Sequence, residues 1–268
     1  MTVADTAFST IDYSLTDGVA LIRLNRPSRR NAINSAMSRE LPRVWQQFKN
    51  DPEAVVAIVT GAGDRAFCSG ADIGDLPQLD MHSVEAARAG MAWTARQNAV
   101  WKPVICAVNG ATVGGGLHFV ADSDIVLAAH SASFSDSHVS VGLVSGLEPV
   151  ALARRMPLEA VLRMALVGAA ERMDADRALQ CGLVGEVVPD VDLLDRAFDI
   201  ARTMAGNSPS AMARTKQAIW AAKELSLEAA LDHAWGRIIE HNRGADFAEG
   251  QRAFLERRAP QWQPYTPD

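Results

Sequence analysis

Strand-like and helix-like segments alternate over the first two-thirds of the chain, and this limits its fold more than any other feature. Residues 19–25 (VALIRLN) read as a strand that ends at Arg26-Pro27. Residues 35–50 then carry Met37, Leu41, Val44, Trp45 and Phe48 near helical spacing, with Asn34 or Ser35 as the cap. Pro42 falls inside that helix, where it costs about 3 kcal/mol unless a kink absorbs it. Residues 55–60 (VVAIVT) are continuously apolar and β-branched, as in a strand buried on both faces. A glycine-dense segment and a helical stretch near 82–100 come next, then the strand 104–108 (VICAV). A second glycine-rich turn opens a short helix, and 124–129 (DIVLAA) is the next strand. This order predicts an α/β fold with a parallel sheet and right-handed crossovers.

From about residue 157 the signals are helical alone. Asp174 reads as an N-cap before ADRALQCG, and Gly182 as a stop. Ser208-Pro209 opens a helix through Lys223. Ser226 opens another, with Leu227, Leu231, Ala234, Trp235 and Ile238 on one face, and Asp246–Glu249 has the form of a capping box before AFLERR. The expected organisation is an α/β core over residues 1–190 and a helical region over 191–268. The second part is too thin to fold alone and should pack on the core or on a neighbouring subunit.

A chain of 268 residues buries a large core without disulfides or structural metal. Its three cysteines (Cys68, Cys106, Cys181) are too few and too scattered for a disulfide framework or a zinc knuckle. A net charge of −6 argues against a nucleic-acid partner, which calls for a basic stripe. The opening MTVADTAFSTIDYS lacks the layout of a signal peptide, and no apolar run approaches about 18 residues. The expectation is a soluble cytoplasmic protein with no membrane partner.

Two glycine-rich turns carry the chemistry. VVAIVTGAGDRA contains G-x-G-x-x-A after a strand, but a dinucleotide site needs a helix at once, and FCSGADIGDLPQ is punctuated by glycine and proline. Neither G-K-[ST] nor G-x-S-x-G occurs. Taken together, SGAD (69–72) and VGGGLH (113–118) each follow a buried strand and expose backbone N–H groups near a helix start. Two such amides aimed at one point make an oxyanion hole, and glycine lets a carbonyl oxygen come close. Two ordinary tight turns are the alternative.

NRPSRRNAIN (25–34), AFCSGADI (66–73), KPVICAVNGATVGGGLHFVADSDIVLA (102–128) and FSDSHVSVGLVSG (134–146) resemble the crotonase (enoyl-CoA hydratase/isomerase) superfamily. ERMDADRALQCGLVGEVV (171–188), SPSAMARTKQAI (208–219) and DFAEGQRAFLERRAPQW (246–262) extend the likeness over nearly the whole chain. The resemblance implies a crotonase-like spiral of ββα units, a helical C-terminal region for trimerisation or as a lid, and a homotrimer or dimer of trimers. It implies an acyl-CoA thioester substrate, with coenzyme A arriving as part of the substrate and no separate cofactor; no H-x-x-x-H or facial-triad spacing supports a metal on His118, His138 and Asp136.

Carried onto this sequence, the oxyanion-hole amides fall on Ala71 and Gly115, flanked by Ser69, Gly70, Asp72 and Gly114. Arg26, Arg29, Ala66 and Ile73 are placed along the nucleotide part of CoA, with Arg29 or Arg30 a candidate phosphate contact and a solvated surface loop the alternative. Family hydratases carry one glutamate two residues after the last glycine of the GGG turn and another after the following strand. Here those positions hold His118 and His138. They either retain acid–base work, serve another reaction of the same enolate (thioester or C–C bond hydrolysis, dehalogenation, a double-bond shift), or act as spacers in an acyl-CoA binding protein. Asp136 could orient the His138 imidazole. Glu148, beyond the Gly146 turn that should border the pocket, is the candidate displaced acid–base, a helix-terminal charge being the alternative. Cys68 reads as a small filler, and Trp93, Trp101 and Trp220 as core or walls of the acyl pocket. Hydration of an enoyl-CoA is the expected reaction.

Overall fold

The computed structural model describes residues 8–77 and 79–267. The first heptad, part of the segment read as lacking a signal peptide, lies outside them. Strands β1 (Ile11–Thr16) and β2 (Val19–Leu24) form a hairpin, followed by helix α1 (Ser35–Asn50). Three repeats of two strands and a helix come next. They are β3 (Val56–Gly61), β4 (Ala66–Cys68) and α2 (Val84–Gly90); β5 (Val104–Val108), β6 (Ala111–Val113) and α3 (Leu117–Asp122); and β7 (Ile125–Ala129), β8 (Ser133–Ser135) and α4 (Leu147–Leu152). After these lie α5 (Leu158–Val167), β9 (Met173–Asp174), α6 (Ala175–Gln180), β10 (Glu186–Val188) and the helices α7 (Leu193–Ala205), α8 (Pro209–Ala221), α9 (Leu227–His241) and α10 (Ala245–Glu256).

The first strand of each repeat joins one sheet and the second strand joins another. The larger sheet runs β1-β2-β3-β5-β7-β10 and the smaller β4-β6-β8-β9. All pairings from β2 to β10 in the larger sheet are parallel, as are β4-β6 and β6-β8 in the smaller. The unbroken apolar runs follow from this arrangement. Ala57, Val59, Cys106 and Val126 face a core shared with α1 and α3, whereas Val56, Ile58, Ile105 and Leu127 face α7 on the other side. Helix α7 meets them with Leu193, Ala197 and Ala201, one helical turn apart.

Three local expectations are corrected. The helix near 82–100 is interrupted: α2 stops at Gly90, and a single 3-10 turn at Arg96–Asn98 follows. Between them Trp93 turns inward and its indole donates to Ser38 Oγ at 2.8 Å, while Gln97 Oε1 accepts from the Trp93 and Thr94 amides. The stretch beyond 157 is not helical alone, because β9 and β10 each extend a sheet; they are too short for periodicity to reveal. Asp246 is no helix cap. Gly244 occupies that position, and the buried Asp246 accepts from Ser208 Oγ at 2.5 Å and the Gln263 amide at 2.9 Å. Helix α1 does run through Pro42, capped by Asn34, whose side chain accepts from the Met37 amide. Complete burial of Leu41, Trp45 and Phe48, at about 1.5–3 kcal/mol each, exceeds the proline cost. Among the described residues no helix is long and apolar enough to cross a membrane.

One carboxylate fastens helix α8 to the sheet. Asp124, just before β7, accepts from the Val104 amide at 2.8 Å and from Trp220 Nε1 at 2.9 Å, and it pairs with the buried Lys216 at 2.7 Å. Removing it strands a buried ammonium and an indole N–H. Asp124→Ala is therefore expected to cost about 3 kcal/mol, measured as loss of stability in chemical denaturation.

Candidate active site

The site assembles where the second sheet ends. Strands β4 and β6 pair in parallel, so the turns that leave them lie side by side. A Cβ built on Gly70 would lie 2.9 Å from Val113 O and 3.2 Å from the Gly115 amide nitrogen, and Gly70 holds φ at +85°. A Cβ on Gly115 would lie 3.0 Å from the Trp93 ring and 3.8 Å from the Ala71 nitrogen. A side chain at Gly70 would wedge the turns apart, and one at Gly115 would press on the Trp93 ring. A bridge between Ile33 and Ala71 fixes the direction of the first amide. Ile33 N–H donates to Gly70 O and Asp72 N–H to Ile33 O, so the Ala71 N–H between them points away from that strand.

Three candidate acid–base residues converge on these turns. Helix α3 places His118 at its second position, and α4 does the same for Glu148; both side chains are buried. His118 Nε2 lies 3.2 Å from Glu148 Oε1, within ion-pair reach but off the line a ring N–H requires, so the nitrogen makes no hydrogen bond. Trp93 meets the His118 ring edge-on at 6.0 Å. His138 follows β8, its Cε1 3.3 Å from the position a Cβ on Gly114 would take. Its Nε2 is 3.9 Å from Glu148 Oε1. Glu148 thus neighbours both imidazoles.

Asp136, almost wholly buried, accepts from the His138 amide at 3.0 Å and meets its Nδ1 at 2.7 Å through the same oxygen. Its other oxygen accepts from Ser145 Oγ. The pair with Asp136 raises the affinity of His138 for a proton above the ordinary imidazole value, against the opposing effect of burial, with help from Glu148. Burial would raise the Asp136 carboxyl, but its hydrogen bonds from His138 and Ser145 outweigh burial and hold it low. Glu148 is likewise opposed by burial and held low by the neighbouring His118 and His138. With Nδ1 facing a carboxylate, His138 carries its proton there and turns a lone pair outward at Nε2.

The donor atoms of Asp136, His138 and Glu148 lie within 4.8 Å of one another, close enough to hold a cation, but both Asp136 oxygens already accept hydrogen bonds. A cleft of about 390 Å³ opens over the cluster, with Ala71, Gly115, His138 and Glu148 on one side. Leu76, Pro77, Leu79, Met81, Met91 and Trp93 form the other.

Residues 14–264 match the family model described as enoyl-CoA hydratase/isomerase. The chain belongs to that family. It is 33% identical to the (E)-benzylidenesuccinyl-CoA hydratase of Thauera aromatica, over 93% of this chain and 97% of that protein. It is 36% identical to the mevalonyl-coenzyme A hydratase of Aspergillus fumigatus, over 93% of each chain. A crystal structure of an enoyl-CoA hydratase/isomerase from Mycobacterium paratuberculosis superposes with a TM-score of 0.90 at 39% identity, covering 96% of this chain and 99% of that one. The α/β crotonase-like fold and an acyl-CoA enzyme of this family are therefore what the sequence encodes.

In this family member the other expected residues are distributed unevenly. Ser69, Gly70, Gly114 and Gly146 border the turns, with Gly146 just before α4. Ala66 is buried in β4, and its carbonyl accepts from Asn31. Arg26 pairs with Asp72 at 2.9 Å, which ties the two loops together and leaves its charge largely spent. Arg29 and Arg30 are exposed, as is Ile73. Cys68 is buried, its thiol pushed up to about 12 by burial, as suits a filler. Trp93 walls the cleft, but Trp101 and Trp220 do not. They line a separate cavity of about 520 Å³ beneath α8 and α9, because the indole of Trp220 is drawn to Asp124. The sequence reading missed the apolar wall from Leu76 to Met91; its signal was apolar residues recurring in a proline-punctuated loop.

The Asp136–His138 pair implies a pH window. A depressed carboxyl stabilises the fold above its unfolded value of 3.8 and loses this as pH falls through the folded value. A raised imidazole stabilises below 6.5 and loses this as pH rises through its folded value. The stability difference between wild type and Asp136→Asn should therefore be largest between these two values and shrink on both sides, as measured by denaturation across pH.

Proposed function

We propose that the protein adds water to, or removes it from, an enoyl-CoA thioester. The observation that carries this reading is the approach of the Ala71 and Gly115 turns beside an acid–base cluster of His138, Glu148 and His118. The two amides donate to the thioester oxygen, where negative charge grows as a nucleophile adds at Cβ. His138 Nε2 takes a proton from the water as its oxygen bonds to Cβ. Glu148, ionised between the imidazoles, orients that water. The proton that His138 takes returns to Cα by way of the Glu148 carboxylate as the enolate collapses, so both groups end as they began, and the buried His118, 3.2 Å from Glu148, holds that carboxylate in place. The CoA portion supplies binding energy remote from the reacting carbons, with Arg26, Arg29, Ala66 and Ile73 along its path and Arg29 or Arg30 near a phosphate. The acyl chain lies against Leu76, Leu79, Met81, Met91 and Trp93.

The same reading makes the protein a homotrimer or dimer of trimers in the cytoplasm, with residues 191–268 serving assembly or covering the site. Exposed Leu227, Leu231, Trp235, Phe254 and Leu255 on α9 and α10 support an assembly surface, and three buried free thiols suit a reducing compartment. A second reading, hydrolysis of a thioester or a C–C bond, is favoured by the Asp136–His138 pair, which resembles the carboxylate–imidazole arrangement that activates water for attack at a carbonyl.

The test is turnover of crotonyl-CoA and longer 2-enoyl-CoAs, followed by loss of the conjugated thioester absorbance. Hydration predicts loss of that band without release of thiol, and release of thiol or a shortened acid transfers the assignment to hydrolysis. Binding of CoA esters without turnover, unchanged in His118→Ala and His138→Ala, would contradict any catalytic reading. His138→Ala should lower kcat by about 10²–10⁴-fold. Because the base form of His138 is the active one, kcat should rise with pH through a midpoint above 6.5.

A further inference from the structure

Ser145 belongs to the loop between the Gly142 turn and α4 and is partly buried. Its hydroxyl does not face the cleft. It donates to Asp136 Oδ2, the carboxylate oxygen that His138 does not use. Asp136 is thereby engaged at both oxygens, and rotation of its carboxyl would break either the Ser145 bond or the two bonds to His138. Glu148 follows Ser145 by three residues, at the start of α4. A single hydroxyl therefore ties the segment leaving β8, which carries His138, to the segment that carries Glu148.

Resting on the acid–base roles assigned above, we propose that Ser145 is a positioning residue. It fixes the Asp136 carboxyl, and through it the His138 tautomer with its lone pair at Nε2, while holding that nitrogen in register with Glu148. Two physical consequences follow. An O–H donor on Oδ2 draws charge away from the oxygen that faces His138, so Asp136 favours the protonated ring less strongly than a bare carboxylate would. It also prevents the carboxyl from turning, so Oδ1 stays in place to accept the Nδ1–H that fixes the tautomer. Among the described residues, the ionisable groups facing His138 are Asp136 on its own segment and Glu148 on α4, with His118 of α3 beyond Glu148. Backbone glycine at Gly114 lies under the ring and contributes no charge.

The test uses the full chain with isotopically labelled histidine, in wild type, Ser145→Ala and Ser145→Thr. Imidazole nitrogen and Cε1 resonances report the tautomer and the protonation midpoint of His138 directly, whether or not a substrate is known; His138→Gln identifies its signals. In wild type one tautomer, Nδ1–H, is expected above the midpoint. In Ser145→Ala the midpoint should move upward and both tautomers should appear. Ser145→Thr, which keeps the hydroxyl, should restore a single tautomer and a wild-type midpoint. With crotonyl-CoA as the probe, Ser145→Ala should lower kcat by about tenfold with KM within twofold, an effect confined to steps that need the Nε2 lone pair. Unchanged His138 resonances in Ser145→Ala would overturn the proposal, as would equal disturbance in Ser145→Thr. Failure of wild type to turn over any enoyl-CoA would overturn the hydration reading alone, since the resonances would still decide the role of Ser145.

Discussion

The close approach of two glycine turns is the constraint on which the rest of this site depends. Parallel pairing of β4 with β6 sets the turns side by side, and the absence of a Cβ at Gly70 lets their backbones come within van der Waals range, while its absence at Gly115 leaves room for the Trp93 ring. Both amides then sit on rigid supports, the Ile33 bridge on one side and the start of α3 on the other. Electrostatic stabilisation of a developing oxyanion requires such preorganisation, because donors that must first be gathered spend on ordering what they gain in binding. The large sheet serves the same end. Burial of β3, β5 and β7 on both faces holds the sheet from which β4 and β6 depart to deliver the turns.

Around these amides the chain arranges charge with economy. One carboxylate, Glu148, stands between two imidazoles, and a second, Asp136, backs the more exposed of them. A histidine paired with a carboxylate is a base whose direction is set by its partner.

Much of this was legible in the sequence, for identifiable reasons. Unalternating runs such as VVAIVT require two covered faces, and Leu193, Ala197 and Ala201 supply one cover for them. SGAD and GGG announced close backbone approach because glycine at such positions excludes little else. His118, His138 and Glu148 were legible as candidates only through the family resemblance, which marks positions relative to those turns. What escaped was tertiary in origin. Strands β9 and β10 have too few residues to show a period, and Asp246 was claimed by Ser208 and Gln263 from outside its own helix. Trp101 and Trp220 looked like candidates for the acyl pocket until Asp124 drew the Trp220 indole to the opposite side. Ser145 gave no local signal, since its partner lies nine residues away and is itself buried.

The central claim is that the two amides stabilise an enolate of a CoA thioester next to the histidine–glutamate cluster. The most direct measurement is mass spectrometry of 3-hydroxybutyryl-CoA and its longer homologues recovered after incubation with the protein in heavy water. Reversible dehydration and rehydration predicts deuterium at Cα of at least one homologue with wild type and none with Gly70→Ala, whose new methyl group would separate the turns. Thioesters that bind to wild type yet return without deuterium would contradict the account.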